Sequence, residues 1–379
     1  MYYFDYAATS PISEAALDAY VQAARTYDGN TQSLHEAGSK ASRLVEECRT
    51  RIASLAGVEK RGLHFTSGGT ESNMLAVQLL LAAKQGCKHL ITSQAEHSSI
   101  HILLEKLKRE GYDVTSLPLT NEGVIDAGQV EEAIREDTAV VIVQHVNAEI
   151  GAIQPVEAIG RLCREKGVYF HSDCVQSFGK IDVKKISPFV DSFSISSHKI
   201  YGPKGVGAMY IHPSIPITPL YPGAIHEKGL RPGTLNVPGI AGFAVAADQA
   251  VSSMEYTLEQ HHELFETMKD LLVHQGISWY TPPKQNHLPS IIGIGIDGLE
   301  GQWVMLEANR KGVAISTGSA CQAGMQSPSK TMLAMGIPEE EAKTFIRISL
   351  GKTHTKEDIE ALVSCLTLIS TRRHNQTLV

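Results

Sequence analysis

Residues 194–205 read Ser-Ile-Ser-Ser-His-Lys-Ile-Tyr-Gly-Pro-Lys-Gly, and this stretch decides how the rest of the chain is interpreted. Phe193 and Ile195 alternate with serines as in a short β-strand, so Lys199 falls just beyond the strand end, where α/β folds place their functional sites. A lysine in a desolvated pocket can become a neutral amine and form a Schiff base with an aldehyde cofactor. An exposed loop lysine is the alternative, and both interpretations are open for this stretch alone.

The composition is that of a globular protein large enough to bury a cofactor. The chain has 379 residues, of which 42% are hydrophobic and 20% charged, and its formal net charge is -7. An acidic balance gives no electrostatic footprint for nucleic acid. The N-terminus lacks the pattern of a signal peptide, and no stretch approaches the roughly 18 apolar residues of a membrane span. We therefore expect a cytoplasmic protein with no nucleic acid or membrane as partner.

The cysteines and histidines give no sign of a disulfide framework or a metal site. The cysteines lack Cys-x-x-Cys spacing, and no third ligand accompanies the neighbouring His261 and His262 at a suitable spacing. Cys321 differs from the other cysteines because it lies in a run of small and polar residues, 316–329, which predicts an accessible loop. A reactive thiol and an ordinary loop cysteine are both open for it.

A glycine-bearing turn joins a predicted strand to a predicted helix at residues 63–73, Leu-His-Phe-Thr-Ser-Gly-Gly-Thr-Glu-Ser-Asn. Backbone N–H groups at the start of such a helix, together with the Thr70 hydroxyl, suit a dianionic phosphate. The turn lacks the lysine of a P-loop and the third glycine of a dinucleotide fingerprint, which disfavours ATP and NAD. A packing role for the glycines is the alternative.

Strand-like and helix-like segments alternate between residues 88 and 212, which predicts a mostly parallel sheet with helices on both faces. We expect an α/β fold with a large domain of residues 14–250. A smaller α+β domain would combine residues 1–13 with 251–379. A continuous helical pattern from about Gly239 to Gln275 marks the crossover between the two.

Polar residues follow several predicted strands. Asp173 comes directly after an apolar strand, 26 residues before Lys199. It is either a helix cap or, in a pyridoxal phosphate (PLP) enzyme, the carboxylate that keeps the pyridine nitrogen protonated and makes the ring an electron sink. His97 either stacks on such a ring or is a satisfied polar residue.

Five motifs occur along the chain: Gly-Gly-Thr-Glu, Asp-x-x-Gln, Ser-x-His-Lys-Ile-Tyr-Gly-Pro-Lys-Gly, Arg-x-Gly-Thr-x-Asn and Gly-Ser-Ala-Cys. With them the chain resembles, over nearly its whole length, the cysteine desulfurases of the NifS/IscS type, within the aspartate-aminotransferase-like PLP enzymes. The resemblance implies a PLP-dependent transferase fold and a homodimer. It also implies conversion of L-cysteine to L-alanine, with a persulfide passed to a sulfur-acceptor protein for iron-sulfur cluster, thio-cofactor or tRNA synthesis.

The resemblance also implies residue roles. Lys199 would carry PLP, with Asp173 at the ring nitrogen, Gln176 near O3′ and His97 stacking on the ring and moving protons. The phosphate would be held by Gly69, Thr70, Ser196 and His198, and by Thr234 acting across the dimer interface. Arg347 and Asn147 would bind the substrate, and Cys321, on a loop of the smaller domain, would take the sulfur.

Two departures from the family pattern bear on this reading. Ala148 stands where the family usually has an asparagine that contacts O3′ and the substrate carboxylate, so one polar contact is missing. The tail from Ser370 to Val379 is short, which leaves the acceptor open. Selenocysteine lyase, another PLP lyase or aminotransferase, and a PLP-bound interaction protein without turnover are the alternatives.

Overall fold

A computed structural model describes residues 1–273, 276–318 and 328–376. The helices are α1 Glu14–Thr26, α2 Glu36–Ala56, α3 Gly69–Ala83, α4 Ser98–Arg109, α5 Ala127–Ala133, α6 Val156–Lys166, α7 Val237–Ser252, α8 Met254–Leu272, α9 Gly301–Arg310, α10 Lys330–Ala334, α11 Glu339–Ala342 and α12 Lys356–Gln376. The strands are β1 Tyr2–Tyr3, β2 Leu63–Thr66, β3 His89–Ser93, β4 Asp113–Leu117, β5 Thr138–Ile142, β6 Tyr169–Asp173, β7 Ser192–Ser196, β8 Gly207–Ile211, β9 Ile277–Trp279, β10 Ile291–Ile296, β11 Val313–Ala314 and β12 Phe345–Ser349.

The central sheet has the strand order β2-β8-β7-β6-β5-β3-β4. The strands β4, β3, β5, β6 and β7 are parallel, and β8 pairs antiparallel with both β7 and β2. The predicted mostly parallel sheet is therefore confirmed. Because the carboxyl ends of parallel strands meet at one edge, the polar residues that follow β3, β5, β6 and β7 are brought to the same edge.

Helices cover both faces of this sheet because its strands are apolar on both sides. Within β5, Val140 and Ile142 pack into the cluster formed with α3 and α4, whereas Val141 packs into the cluster that contains residues of α2 and α6. Such a strand is buried from both sides, and each of its five residues is buried. The sheet edge that carries the polar residues is thereby held by a core on each face.

A second, antiparallel sheet of order β12-β10-β9 packs with α8, α9 and α12 around its own apolar cluster. The N-terminal strand β1 pairs with β11, and Phe4 belongs to this cluster. The division of the chain at residues 14–250 stays a prediction.

The prediction of one continuous helix from about Gly239 to Gln275 is wrong. The structure has two helices, α7 and α8, with Ser253 between them. They pack on different partners, α7 on α1 and α2, and α8 on α12. The two serines at 252–253 allow the break because serine is a weak helix former. The sequence does not indicate the break, because the segments on both sides have a helical pattern. In the described parts of the chain, none of the helices is long and apolar enough to cross a membrane.

A buried ion pair holds the segment between β8 and α7 against α2 and β2. The carboxylate of Glu227 accepts from Nη1 and Nη2 of Arg49 at 2.9 and 2.8 Å, and from the backbone N–H of Phe65 at 3.0 Å. Burial opposes the charge of Glu227, but the hydrogen bonds from His64 and Arg49 outweigh it and lower the pKa of Glu227 to about 2. This contact keeps Glu227 in place although its φ is +45°, a strained value for a residue with a side chain.

We expect Glu227→Ala to lower the free energy of unfolding at pH 7 by about 3 kcal/mol, because it leaves the buried Arg49 charge without its partner. Asp248→Ala, which removes the exposed partner of Arg51, is the matched control and should cost less than about 1 kcal/mol. The contribution of Glu227 to the free energy of unfolding is fully present above 4.5, its pKa in the unfolded chain. It is lost as the pH falls toward 2, its pKa in the folded protein. Urea unfolding at several pH values measures both. Equal losses in the two variants would contradict the expectation.

Candidate active site

Lys199 lies at the end of a short 3-10 turn, Ser197–Lys199, that directly follows β7. Its Nζ donates to the backbone oxygens of Ala7 and Ala8 at 2.6 and 2.8 Å. The backbone N–H of Ser10 donates to His198 O at 2.9 Å, so the N-terminal segment 5–10 lies along this turn. The lysine is thus placed at the polar sheet edge by β7 and held there by backbone carbonyls.

Asp173 ends β6 and is 6% exposed. Its Oδ2 accepts from Nδ2 of Asn73 at 2.7 Å, and its Oδ1 accepts from the backbone N–H of Val175 at 2.9 Å. A buried carboxylate needs such donors, since burial of an unpaired charge is costly. Asp173 is therefore prepared to act as a fixed negative charge.

Asn73 of α3 connects Asp173 to two histidines. Its Nδ2 also donates to Ser99 Oγ at 3.0 Å, and its Oδ1 lies 3.1 Å from Nε2 of His171. Burial lowers the pKa of His171 to about 3, so this imidazole is neutral and donates from Nε2 to Asn73. Sequence reasoning missed Asn73, Ser99 and His171. The one available signal was a polar Asn73 on the buried side of an apolar helix.

His97 caps α4 with its own side chain. Nδ1 accepts from the backbone N–H of Ser99 at 3.1 Å and lies 2.9 Å from Ser99 Oγ. Burial lowers the pKa of His97, the Asp173 carboxylate opposes this effect, and the charge of Lys199 adds to it. The ring is therefore neutral with its hydrogen on Nε2, and it lies within electrostatic reach of both Asp173 and Lys199.

An anion-binding corner lies where β7 meets the start of α3. The hydroxyl of Ser196 is buried and has no hydrogen-bond partner among the described residues. It lies beside Gly68, since a methyl group there would be 3.8 Å from Ser196 Oγ. Because α3 begins at Gly69, the first N–H groups of this helix have no acceptor within it. An orphaned hydroxyl next to such N–H groups fits a phosphate.

The other residues predicted to bind the phosphate, His198, Thr70 and Thr234, differ in their surroundings. Nδ1 of His198 lies 3.1 Å from Thr9 Oγ1, and burial, with the charges of Lys199 and Lys204, lowers the pKa of His198 to about 4. Thr70 is exposed in the first turn of α3, and Thr234 is exposed on the segment before α7. The ion pair of Arg231 with Glu71, at 3.2 Å, fastens this segment to α3 of the same chain.

Arg347 of β12 projects from the second sheet and is 4% exposed. Its Nη2 donates to Asp5 Oδ1 at 2.8 Å, and its Nη1 donates to the backbone oxygen of Ala148 at 3.0 Å. Nε is buried without a partner among the described residues. These contacts use two of the five N–H groups of the guanidinium, so donors remain for an incoming carboxylate.

Asn147 shapes the turn beside Arg347. Its Oδ1 accepts from the backbone N–H groups of Glu149 and Ile150, and its Nδ2 donates to Thr331 Oγ1 at 3.1 Å. Burial raises the pKa of Glu149, which accepts a hydrogen bond from Ser329. The substrate-binding role of Asn147 stays a prediction.

Cys321 lies outside the described residues. Gly318 and Ser329 stand on either side of the stretch that contains it; Ser329 donates to Glu149, and a Cβ atom at Gly318 would lie 2.9 Å from Glu149 Cδ. Among the described cysteines, burial raises the pKa of Cys48 to about 11 and the pKa values of Cys163 and Cys174 to about 12. These three thiols are therefore poor nucleophiles at neutral pH.

The chain is similar to known proteins over nearly its full length. The family model described as aminotransferase class-V matches residues 2–362. A NifS protein of Bacillus subtilis (strain 168) is 45% identical over 373 residues, covering 97% of this chain and 94% of the relative. A cysteine desulfurase IscS of Dictyoglomus turgidum (strain DSM 6724 / Z-1310) is 36% identical over 366 residues, covering 96% of this chain and 93% of the relative.

Solved structures agree with this similarity. One described as a NifS-like protein has a TM-score of 0.90 at 31% identity, covering 97% of this chain and 99% of that chain. One described as SspA in complex with cysteine has a TM-score of 0.80 at 33% identity, covering 94% of this chain and all of that chain (100%). The predicted fold class, that of PLP-dependent transferases related to aspartate aminotransferase, is confirmed. This chain belongs to the aminotransferase class-V family, within the cysteine desulfurases of the NifS/IscS type.

Proposed function

We propose that this chain is a PLP-dependent cysteine desulfurase that converts L-cysteine to L-alanine and carries the sulfur as a persulfide on Cys321. The observation that supports it best is the set of groups at one sheet edge: Lys199, the buried Asp173, and the orphaned hydroxyl of Ser196 beside the start of α3. These three would meet the aldehyde, the ring nitrogen and the phosphate of PLP.

Different residues would hold different parts of the cofactor. Lys199 would form the covalent link, Asp173 would hold a proton on the ring nitrogen, and Ser196 with the N–H groups of Gly69 and Thr70 would bind the phosphate. When bound, PLP supplies an electron sink for charge that develops on the substrate. His198 would contact the phosphate from the turn after β7, and Gln176 would face O3′.

Arg347 would bind the substrate carboxylate. Its free Nε–H can donate to an incoming oxygen while Asp5 and the Ala148 carbonyl hold the two Nη groups in place. Charge-assisted hydrogen bonds of this kind are the strong ones. L-Cysteine is the proposed substrate, which the similarity to the cysteine complex of SspA supports.

His97 would stack its neutral ring on the cofactor and donate from Nε2. To accept a proton at Nε2, the ring must move its own hydrogen to Nδ1. In that tautomer Nδ1–H can donate to Ser99 Oγ, 2.9 Å away, but it can no longer accept from the Ser99 backbone N–H. The Ser99 hydroxyl can serve both tautomers, and this supports a proton-moving role for His97.

Replacement of His97 separates its capping role from its role in the reaction. Asparagine also caps helices, so we expect His97→Asn to keep the wild-type stability, whereas His97→Ala should lose roughly 1 kcal/mol of unfolding free energy. Both variants should lose desulfurase activity by about 100-fold or more, because neither keeps an imidazole. Thermal unfolding and alanine production measure the two effects. An active His97→Asn variant would contradict the proposed role.

Sulfur transfer would depend on the thiolate of Cys321. The thiolate attacks the substrate sulfur, a sulfur-sulfur bond forms, and the carbon-sulfur bond breaks with its electron pair passing to the substrate carbon, which is later protonated to give alanine. Thiols provide a few per cent of thiolate at pH 7 even without activation, and hydroxyls provide almost none. Cys321 is thus assigned the step that distinguishes a desulfurase from other enzymes of this fold.

We expect Cys321→Ala and Cys321→Ser to bind PLP and to respond spectrally to L-cysteine, yet to form neither alanine nor sulfide. Lys199→Ala should lose the covalent cofactor link altogether. Cys87→Ala, which removes a half-buried thiol elsewhere, is the control and should stay fully active. Persulfide mapping by mass spectrometry should find the extra sulfur on Cys321 of the wild type. Full desulfuration by Cys321→Ala would instead favour a lyase.

We further propose a homodimer in which Thr234 completes the phosphate site of the other subunit, with a sulfur-acceptor protein as the next partner. The exposure of Thr234 supports an intersubunit role, whereas the Arg231–Glu71 ion pair fastens its segment beside the α3 of its own chain. A cytoplasmic location stays a prediction of the sequence.

Mixed dimers of Lys199→Ala and Thr234→Ala chains test the role of Thr234. If the hydroxyl acts across the interface, one site of each heterodimer carries both defects and the other carries neither, so activity should reappear on mixing. If it acts within its own chain, every site keeps one defect and the mixture should be no more active than its parents. Differently tagged chains, purified as heterodimers, make the comparison unambiguous.

A further inference from the structure

Lys180 is a half-buried lysine that the proposed reaction does not use. It lies in the turns after β6, and its Nζ donates to Oε1 of Gln176 at 2.7 Å. Burial lowers the pKa of Lys180 to about 7, and the charges of Lys199 and Arg347 act in the same direction. Together with Lys199, Lys180 lines a pocket between the turn after β7 and α8.

The hydrogen bond from Lys180 determines which way the amide of Gln176 points. In its ammonium form Lys180 can only donate, so the carbonyl end of the amide faces Lys180 in that form. The Nε2 end then faces the opposite direction, where it donates to the backbone oxygen of Ala7 at 2.8 Å. The same oxygen accepts from Nζ of Lys199 at 2.6 Å. Gln176 therefore presents its N–H end to the place where the amine of Lys199 lies.

The reversed amide would be disfavoured on both sides. It would turn an N–H group toward the ammonium of Lys180, and it would turn a carbonyl oxygen toward the carbonyl oxygen of Ala7. Without Lys180 the first penalty disappears, and water or another donor could satisfy either orientation.

We propose that Lys180, in its ammonium form, is a positioning residue that fixes the N–H end of Gln176 toward the cofactor and places a positive charge behind it. This inference rests on the proposed function, in which Gln176 faces O3′ of PLP next to the link with Lys199. A fixed donor stabilises negative charge on that oxygen and so weakens its hold on the proton of the link. The nearby positive charge disfavours that proton too. Both effects lower the pKa of the Lys199–cofactor link.

The other titratable groups around Lys180 do not orient Gln176 in this way. They are Lys199 and His198 from the turn after β7, Arg347 from β12, His261 from α8, and Tyr6, Tyr201 and Lys352 along the cavity wall. Burial lowers the pKa values of His198 and His261 to about 4, so both are neutral at pH 7. Arg347 already has Asp5 as a counter-ion.

A lysine whose pKa is lowered by folding also lowers the free energy of unfolding. In the unfolded chain Lys180 would titrate at 10.5, whereas in the folded protein it titrates at about 7. Folding is therefore penalised as the pH falls from 10.5 to 7, and the penalty is constant below that. Replacement of Lys180 by an apolar residue should therefore not lower the free energy of unfolding at neutral pH. Replacement of a lysine with a purely structural role would lower it.

The test compares Lys180→Met, Lys180→Arg and the control Lys185→Met, which removes an exposed lysine nearby. The measurement is a pH titration of the absorbance of the PLP-loaded enzymes, which reports the pKa of the Lys199–cofactor link. We expect Lys180→Met to raise this pKa by about one unit, a usual size for the loss of a neighbouring charge. Lys180→Arg, which keeps a donor-only cation, and Lys185→Met should stay near the wild-type value. Thermal unfolding of Lys180→Met at pH 7 should give a Tm equal to or above that of the wild type.

A double-mutant cycle with Gln176→Leu shows whether Lys180 acts through Gln176. In the Gln176→Leu background, Lys180→Met should shift the pKa of the link by less than it does alone. Fully additive shifts would overturn the positioning role, as would an unchanged pKa in a folded Lys180→Met variant. Failure of the proposed function looks different, because the wild-type protein would then show no lysine-linked PLP spectrum at all.

Discussion

The site depends on keeping one carboxylate, Asp173, charged inside the protein. Burial makes that charge expensive unless donors surround it. The donors come from two directions: the backbone N–H of Val175, which follows β6, and the side chain of Asn73, which reaches over from α3. Asn73 also contacts Ser99, whose hydroxyl and backbone N–H hold the ring of His97 in its orientation. The charge that a pyridine nitrogen needs and the histidine that would cover the ring are therefore parts of one hydrogen-bonded unit.

The N-terminal segment connects the two sheets at this site. Asp5 bridges to Ser349 of β12 and pairs with Arg347, whereas the carbonyls of Ala7 and Ala8 accept from Lys199. A segment of four residues thus touches both the group proposed to bind the substrate carboxylate and the group proposed to bind the cofactor.

The sequence allowed Lys199, Asp173 and the glycine turn before α3 to be placed at a common edge, because residue order along a parallel sheet determines where strand ends meet. It could not show that Asn73 reaches Asp173 or that Ser99 reaches His97. Those contacts join elements far apart in the chain, and hydrophobic periodicity indicates a buried face without giving its partner. The break at Ser253 was missed for a related reason. Both flanking segments have helical patterns, and only their packing on different helices shows that they are two separate helices. Cys321 was found from its motif, and the described residues give only the positions of its neighbours Gly318 and Ser329 at Glu149.

The substitution at Ala148 is compatible with the geometry because Arg347 uses the backbone there. Nη1 donates to the carbonyl oxygen of Ala148, a contact that any side chain at this position would preserve. What the alanine removes is an amide that could approach O3′ and the substrate. Lys180, Lys199 and Arg347 lie within electrostatic reach of one another, and Asp5 is the acid paired to Arg347, so this part of the site carries more positive than negative charge. A substrate carboxylate and a cofactor oxygen that bears negative charge would balance it, and electrostatic attraction of this kind works with or without the asparagine. The loss of one directional contact is therefore expected to change how precisely the anions are aligned more than whether they bind.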